Sequence, residues 1–376
     1  MLRPLRRFAS ALTLSAVVGI SSACAGVVDT TGNYAGEIDI GGRRLYLECR
    51  GTGTPTVILI SGYRNDADIW SVDLDPEQTP VLQGIAGFTR VCAYDRPGTI
   101  LDRDHQSRSD PVAMPRTAEA VVEELHALVT TAGLARPNVL VAHSLGGLFA
   151  RLYASTYPSE VAGLVLVDAW QEDLPELLGP EQWNAYVELS TPPPPGLETY
   201  AGLEMVDFAA ASATMRDAAA AHPLGDLPLA VISRNKPAAL PPNVPEAFSA
   251  DAFEAAWQAG QNRLAALVPS VQRVTAEDSA HYIAHRAGAR HRRDAMGGGD
   301  RAEVGWAPYR ANPAIIAVTA PVLSNSSTTG NASARSRSRD SAPVSPARRA
   351  MSFSVVTRRS SAASAWAIRR SASASV

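Results

Sequence analysis

Residues 138–150 read NVLVAHSLGGLFA, a strand pattern that runs directly into a helical one with Ser144 at the junction. NVLVAH is apolar without alternation, as expected of a strand covered on both faces in a parallel sheet. A helical pattern begins at Leu145, reaches Tyr157 and stops at Pro158, because proline has no N–H with which to continue the ladder. Small residues at 142 and 146 let the chain turn sharply, so that the serine hydroxyl stands clear of the turn beside a helix N-terminus that favours negative charge. The arrangement fits a G-x-S-x-G nucleophile elbow with Ala142 in place of the first glycine. A serine that merely caps the helix would satisfy the same letters, AHSLGG, so the choice rests on the rest of the chain.

Working outward, five further apolar runs have the same character: TVILIS (56–61), RVCAY (90–94), GLVLVDA (163–169), LPLAVIS (227–233) and VQRVTA (271–276). Helical patterns separate several of them. In the clearest, Thr117 to Ala132, Ala118, Val121, Val122, Leu125, Leu128 and Val129 recur at helical spacing, and Glu119, Glu123 and Glu124 are expected to face away from the core. Near the N-terminus two alternating segments, 37–40 and 44–49, joined by Gly41-Gly42, predict a β-hairpin. Strands alternating with helices imply an α/β fold with helices on both faces of the sheet. Between Trp170 and Asp226 the alternation stops, and a mixed helical stretch containing Pro192 to Pro195 reads as a cap inserted at about 170–226.

Two more segments bear on Ser144. The strand TVILIS ends in Ser61-Gly62-Tyr63, and SAHYI (279–283) follows the last apolar run. In the order oxyanion loop, serine, histidine, the chain from Gly36 to about His285 resembles the α/β-hydrolase family, in particular its capped lipase and esterase-like members. The resemblance implies a mostly parallel eight-stranded sheet in a domain spanning 36–286. It also implies that Ser144 attacks an acyl carbon, His281 takes its proton, and the backbone N–H groups of Leu145 and Tyr63 receive the oxyanion. His143, at the variable position of the elbow, is expected to support rather than transfer protons, and His105, His126, His222 and His285 are read as incidental.

The acid is less defined, because RNKPAALPPNVPEAFSAD after LPLAVIS lacks the family's usual G-x-x-D. A minority of relatives place it at the end of the preceding strand, here Asp168 in LVLVDAW. A carboxylate closing an apolar strand must be desolvated unless it is partnered, and a histidine across the strand ends is such a partner. Asp168 is therefore favoured over Asp251 and Glu246. Asp95-Arg96-Pro97 is read as part of a loop-stabilising ion pair. In the family's sheet the second strand runs antiparallel beside the fourth, which implies a Cys49–Cys92 disulfide.

The resulting expectation is a serine hydrolase that cleaves a carboxylic ester through an acyl-enzyme. Trp170, Leu177, Leu178, Trp183, Tyr186, Leu203 and Met205 in the cap suggest an apolar pocket for the substrate, or equally the cap's own core. Amide hydrolysis, carbon–carbon hydrolysis and cofactor-free peroxidation use the same constellation, and a non-catalytic binding protein could keep the fold. Metal-ligand spacing, a G-x-G-x-x-G loop and a Walker loop are all missing, so neither a metal nor another cofactor is expected.

Charge and composition divide the chain. The net charge of -3 argues against a nucleic-acid partner. Arg3, Arg6 and Arg7 precede the apolar run Phe8 to Ile20 and the small residues around Ala23-x-Ala25, the pattern of a secretory signal over 1–25. An uncleaved anchor and a lipoprotein modified at Cys24, hence association with the cell envelope, are the alternatives. From Ala287 onward there are 14 Arg against 4 Asp or Glu, in a stretch rich in Ala, Ser, Gly and Pro. With one lysine and 33 arginines in the whole chain, 287–376 reads as a basic low-complexity tail, disordered or translated out of frame from a GC-rich gene.

Overall fold

The structure, a computed structural model, describes residues 32–71, 79–102, 104–241, 244–277 and 279–283, together with 315, 319, 320, 322 and 323. The signal over 1–25, Cys24, His285 and most of the basic tail lie outside the described residues.

The apolar runs form one sheet. Strands β1 (Tyr34–Asp39), β2 (Arg44–Arg50), β3 (Val57–Ile60), β4 (Val91–Tyr94), β5 (Asn138–His143), β6 (Val161–Val167), β7 (Leu229–Arg234) and β8 (Val271–Ala276) are ordered β1-β2-β4-β3-β5-β6-β7-β8. The pairs β1–β2 and β2–β4 are antiparallel and all the others are parallel. The hairpin turns at Gly41 and Gly42, whose φ of 99° and 107° suit residues without a Cβ. Every residue of β3 to β7 is buried, whereas in β8 only Ala276 is. That contrast is the mark of inner strands covered on both faces beside an edge strand. Cys49 and Cys92 pair directly across β2 and β4 and form a disulfide.

Helices α1 (Asp68–Ser71), α2 (Val81–Ala86), α3 (Ala118–Thr131), α4 (Leu145–Thr156) and α7 (Ala250–Leu264) connect the strands. The insertion between β6 and β7 carries α5 (Leu174–Ser190), broken at Gly179, and α6 (Phe208–Ala221). Thr117 caps α3 by accepting from the Ala120 N–H, and the predicted apolar stripe of that helix is buried. Glu124 departs from expectation: it is 4% exposed, not turned to solvent. Arg116 and Arg43 pair with it, which makes burial of a carboxylate tolerable.

The tail also requires a correction. Residues 315, 319, 320, 322 and 323 are helical, and Ile315, Thr319, Val322 and Leu323 are buried. Their spacing is that of one helix face. Ile315, Val322 and Leu323 join the cluster built by Val57, Leu59, Val139 and Val165 on one side of the sheet, and Val322 lies against Gly163, where a Cβ would collide with it. This part of the tail therefore holds enough apolar surface to pack, although Arg and Ser dominate the composition around it.

Candidate active site

The end of β5 and the start of α4 place Ser144. It sits at φ 52°, ψ −127°, a strained conformation for a residue with a side chain. Its backbone is held on both sides, with its N–H donating to the Val167 carbonyl and its own carbonyl accepting from Gly147 and Trp170. Gly146 allows the turn because a Cβ there would lie 2.6 Å from the carbonyl oxygens of both Ile60 and Ser61. Ser144 does not use its side chain as a helix cap. Its Oγ lies 2.9 Å from His281 Nε2 instead.

His281 Nδ1 lies in turn 2.6 Å from Asp168 Oδ2, so serine, imidazole and carboxylate form a continuous hydrogen-bonded array. Asp168 directly follows β6, is fully buried and has φ 41°. Three further groups hold it. Arg234 Nη1 donates to Oδ2 at 2.9 Å, Trp257 Nε1 donates to Oδ1 at 3.0 Å, and its own N–H donates to the Ile232 carbonyl. Burial pushes the Asp168 pKa up, but the hydrogen bond and charge of His281, the charge of Arg234 and the Trp257 N–H outweigh it, leaving the carboxyl below the usual range. Arg234 is itself buried and also pairs with Glu254 at 2.6 Å. The other candidate acids are elsewhere: Asp251 is exposed in the first turn of α7, and Glu246 is exposed in the loop before it.

The Ser61-Gly62-Tyr63 turn borders the serine. A Cβ on Gly62 would stand 2.9 Å from His143 Nδ1 and 3.0 Å from Ser144 Cβ, so Gly62 is packed directly against the serine. Leu145, the first residue of α4, carries one of the N–H groups that a helix leaves without an intrahelical partner. His143 is buried, and its Nε2 donates to the His281 carbonyl at 2.8 Å, fixing the backbone that carries the imidazole. Above these groups Trp170, Trp183, Tyr186, Phe208, Phe253 and Trp257 make successive ring contacts, and Trp257 also meets His281 edge-on at 5.2 Å. Met205 is exposed and lies outside this cluster.

Asp95 and Arg96 stabilise loops through separate partners. Asp95 binds Arg108, and Arg96 binds Glu204 of the insertion. Sequence reading missed Arg234, Trp257 and Glu204. An arginine directly after the apolar run LPLAVIS was a signal for the first, since an isolated buried charge requires a partner. Among the described residues no group of three or more His, Cys, Asp or Glu side chains is placed to hold a metal ion.

The sheet order, the inserted helices and the serine at a strained strand-to-helix turn together define a protein with the fold and the junction of the α/β hydrolases. The model of the alpha/beta hydrolase fold matches residues 55–225, and the chain has that fold. An uncharacterized protein of Schizosaccharomyces pombe is 30% identical over 146 residues, which are 34% of this chain and 26% of that one. The (lyso)-N-acylphosphatidylethanolamine lipase of Mus musculus is 30% identical over 139 residues, 32% of this chain and 41% of the enzyme. The chain thus matches less than half the length of either relative. A thermophilic esterase from Thermogutta terrifontis superposes with a TM-score of 0.45 at 22% identity, covering 69% of this chain and 96% of the esterase.

Proposed function

We propose that this protein is an exported serine hydrolase that cleaves a carboxylic ester through an acyl-enzyme. The observation that carries the reading is the continuous array Ser144 Oγ, His281, Asp168, with both links at hydrogen-bond length. Ser144 attacks the ester carbonyl while His281 Nε2 takes its proton, and Asp168 holds the Nδ1 proton and stabilises the imidazolium. The tetrahedral oxyanion forms beside the N–H groups of Leu145 and Tyr63. His281 then returns the proton to the departing alkoxide, and water repeats the sequence to release the acid. Apolar substrates are favoured by the aromatic cluster of Trp170, Trp183, Tyr186 and Phe208, whose Trp170 N–H donates to the Ser144 carbonyl.

The N-terminal signal pattern and the Cys49–Cys92 bridge support export, since disulfides persist in oxidising compartments. A fluorophosphonate probe should label the protein at Ser144, and a short-chain p-nitrophenyl ester should be turned over. Ser144→Ala should abolish labelling and lower kcat at least about a thousandfold. Purified protein that neither labels nor hydrolyses any ester in an acyl-chain series would favour a binding role and overturn this reading. Detection in the cytosolic fraction, with the N-terminal residues intact, would refute export.

A further inference from the structure

The Arg96–Glu204 pair is buried beside the serine but touches none of the three residues in the array. Its hydrogen bonds converge on the turn that carries Tyr63. Arg96 Nη1 donates to the Ser61 carbonyl at 2.8 Å and Nη2 donates to the Gly62 carbonyl at 2.6 Å. Arg96 Nε and Nη2 also bind the Glu204 carboxylate, at 2.6 and 3.1 Å. Oε2 of that carboxylate accepts the Arg64 N–H at 2.6 Å. The two peptides that flank Tyr63 are therefore gripped by one ion pair, the first through its C=O and the second through its N–H.

The geometry has a consequence for the oxyanion donor. In a trans peptide the C=O and the N–H point in opposite directions, so holding the Gly62 carbonyl fixes where the Tyr63 N–H points. A charged donor on that carbonyl also polarises the peptide and strengthens its N–H as a donor in a buried site. Asn65 N–H adds a second bond to the same carbonyl at 3.1 Å. Arg64, at φ 60°, completes the turn, and its guanidinium returns to the insertion through the carbonyls of Thr191, Pro192 and Glu204. Glu204 is 0% exposed and Arg96 1%, so a counter-ion is obligatory for either of them. The counter-ion comes from the insertion rather than from the sheet, which couples the two.

We infer that Arg96 and Glu204 are positioning residues of the oxyanion site, through which the inserted segment sets the aim of the Tyr63 N–H. The inference rests on the esterase reading above. Its test compares wild type with Glu204→Gln, which keeps size and shape but removes the charge, and Arg96→Lys, whose single ammonium lacks the fork needed to reach both carbonyls and the carboxylate. Rates are measured per serine titrated with fluorophosphonate, so that only folded protein is counted, on an ester and on the matching thionoester, whose sulfur draws far less on oxyanion donors. Each variant should lose roughly ten- to a hundredfold in kcat on the oxygen ester, with KM within about threefold and the ester-to-thionoester rate ratio falling in step. A purely structural role predicts fewer titratable sites with the rate per site and the ratio unchanged, and that result would overturn the inference while leaving the esterase reading intact. A wild type that does not react with fluorophosphonate would remove both.

Discussion

Replacing Asp168 by asparagine tests the array at its most constrained point. Three side-chain donors converge on the carboxylate: His281 Nδ1 and Arg234 Nη1 on Oδ2, and Trp257 Nε1 on Oδ1. An amide has one oxygen and one NH2, so one donor must face another in either orientation. If the amide oxygen replaces Oδ2, the Trp257 N–H is opposed and the imidazolium loses its counter-charge. If it replaces Oδ1, the NH2 faces Arg234 and forces His281 to carry its proton on Nε2, the tautomer that cannot accept from Ser144. Two unit charges about 4 Å apart at an effective dielectric of about 20 attract by about 4 kcal/mol, or about a thousandfold in rate. The Arg234 charge, no longer opposed by Asp168, repels the imidazolium as well and raises the loss toward about ten thousandfold.

Stability should fall too, because removing one partner of a buried pair costs about 3 to 5 kcal/mol. Glu254, 2.6 Å from Arg234 Nη2, keeps that cost at the lower end. The assay is kcat on a p-nitrophenyl ester per titrated serine, with urea unfolding run in parallel. Asp251→Asn is the control: it removes an exposed first-turn carboxylate worth about 0.3 to 1 kcal/mol to its helix and should leave kcat within about twofold. If Asp168→Asn stays within tenfold of wild type, or Asp251→Asn loses more, the assignment of the acid is wrong.

Four further outcomes follow from the same geometry. The Asp168 pKa is lower folded than the roughly 3.9 of an unfolded aspartate, so its stabilisation is complete above that value and is lost as pH falls through the folded one. The difference in urea stability between wild type and Asp168→Asn should accordingly stay constant from about pH 7 to 5 and shrink below about pH 4. Changing Cys49 and Cys92 together to serine removes a crosslink between residues 43 apart and should lower stability by roughly 3 to 4 kcal/mol on the chain-entropy model; unchanged urea midpoints in oxidised and reduced wild type would contradict it. Val322→Asp places a carboxylate against Gly163 and the sheet and should cost roughly 3 kcal/mol or more, whereas a tail that does not pack would tolerate it. Gly146→Val drives a side chain into the Ile60 and Ser61 carbonyls and should abolish fluorophosphonate labelling, or folding outright, while Gly133→Ala, at φ 62° with open space around it, should cost only about 1 kcal/mol.

What could be read from the sequence depended on how local its cause was. Each inner strand announced itself as an unbroken apolar run, because two-sided burial removes the alternation. The turn at Ser144 could be placed because its small neighbours at 142 and 146 are a steric requirement visible within five residues. The partners of these groups could not be found in this way. Arg96 meets Glu204 across 108 positions and Asp168 meets Trp257 across 89, distances over which no periodicity persists. Glu124 was assigned to the solvent face because its spacing sets only which side of α3 it occupies. The basic partners that make its burial tolerable come from Arg43 and Arg116, on the hairpin and on the loop before the helix.

The tail shows the opposite limit. Its average composition is that of a segment unable to offset the entropy of ordering, yet a helix face needs only a few large residues at the right spacing. Ile315, Val322 and Leu323 supply them, and Thr319 fills the remaining position while its hydroxyl donates to the Ile315 carbonyl at 2.6 Å. The same side of the sheet contains Val57, Val139 and Val165, fully buried as β3, β5 and β6 require. Left uncovered, those strands would present a contiguous apolar patch to water. A sheet of this kind thus implies a covering element even where composition argues against one. The place to look for it is a short window with helical apolar spacing rather than the mean of the whole segment.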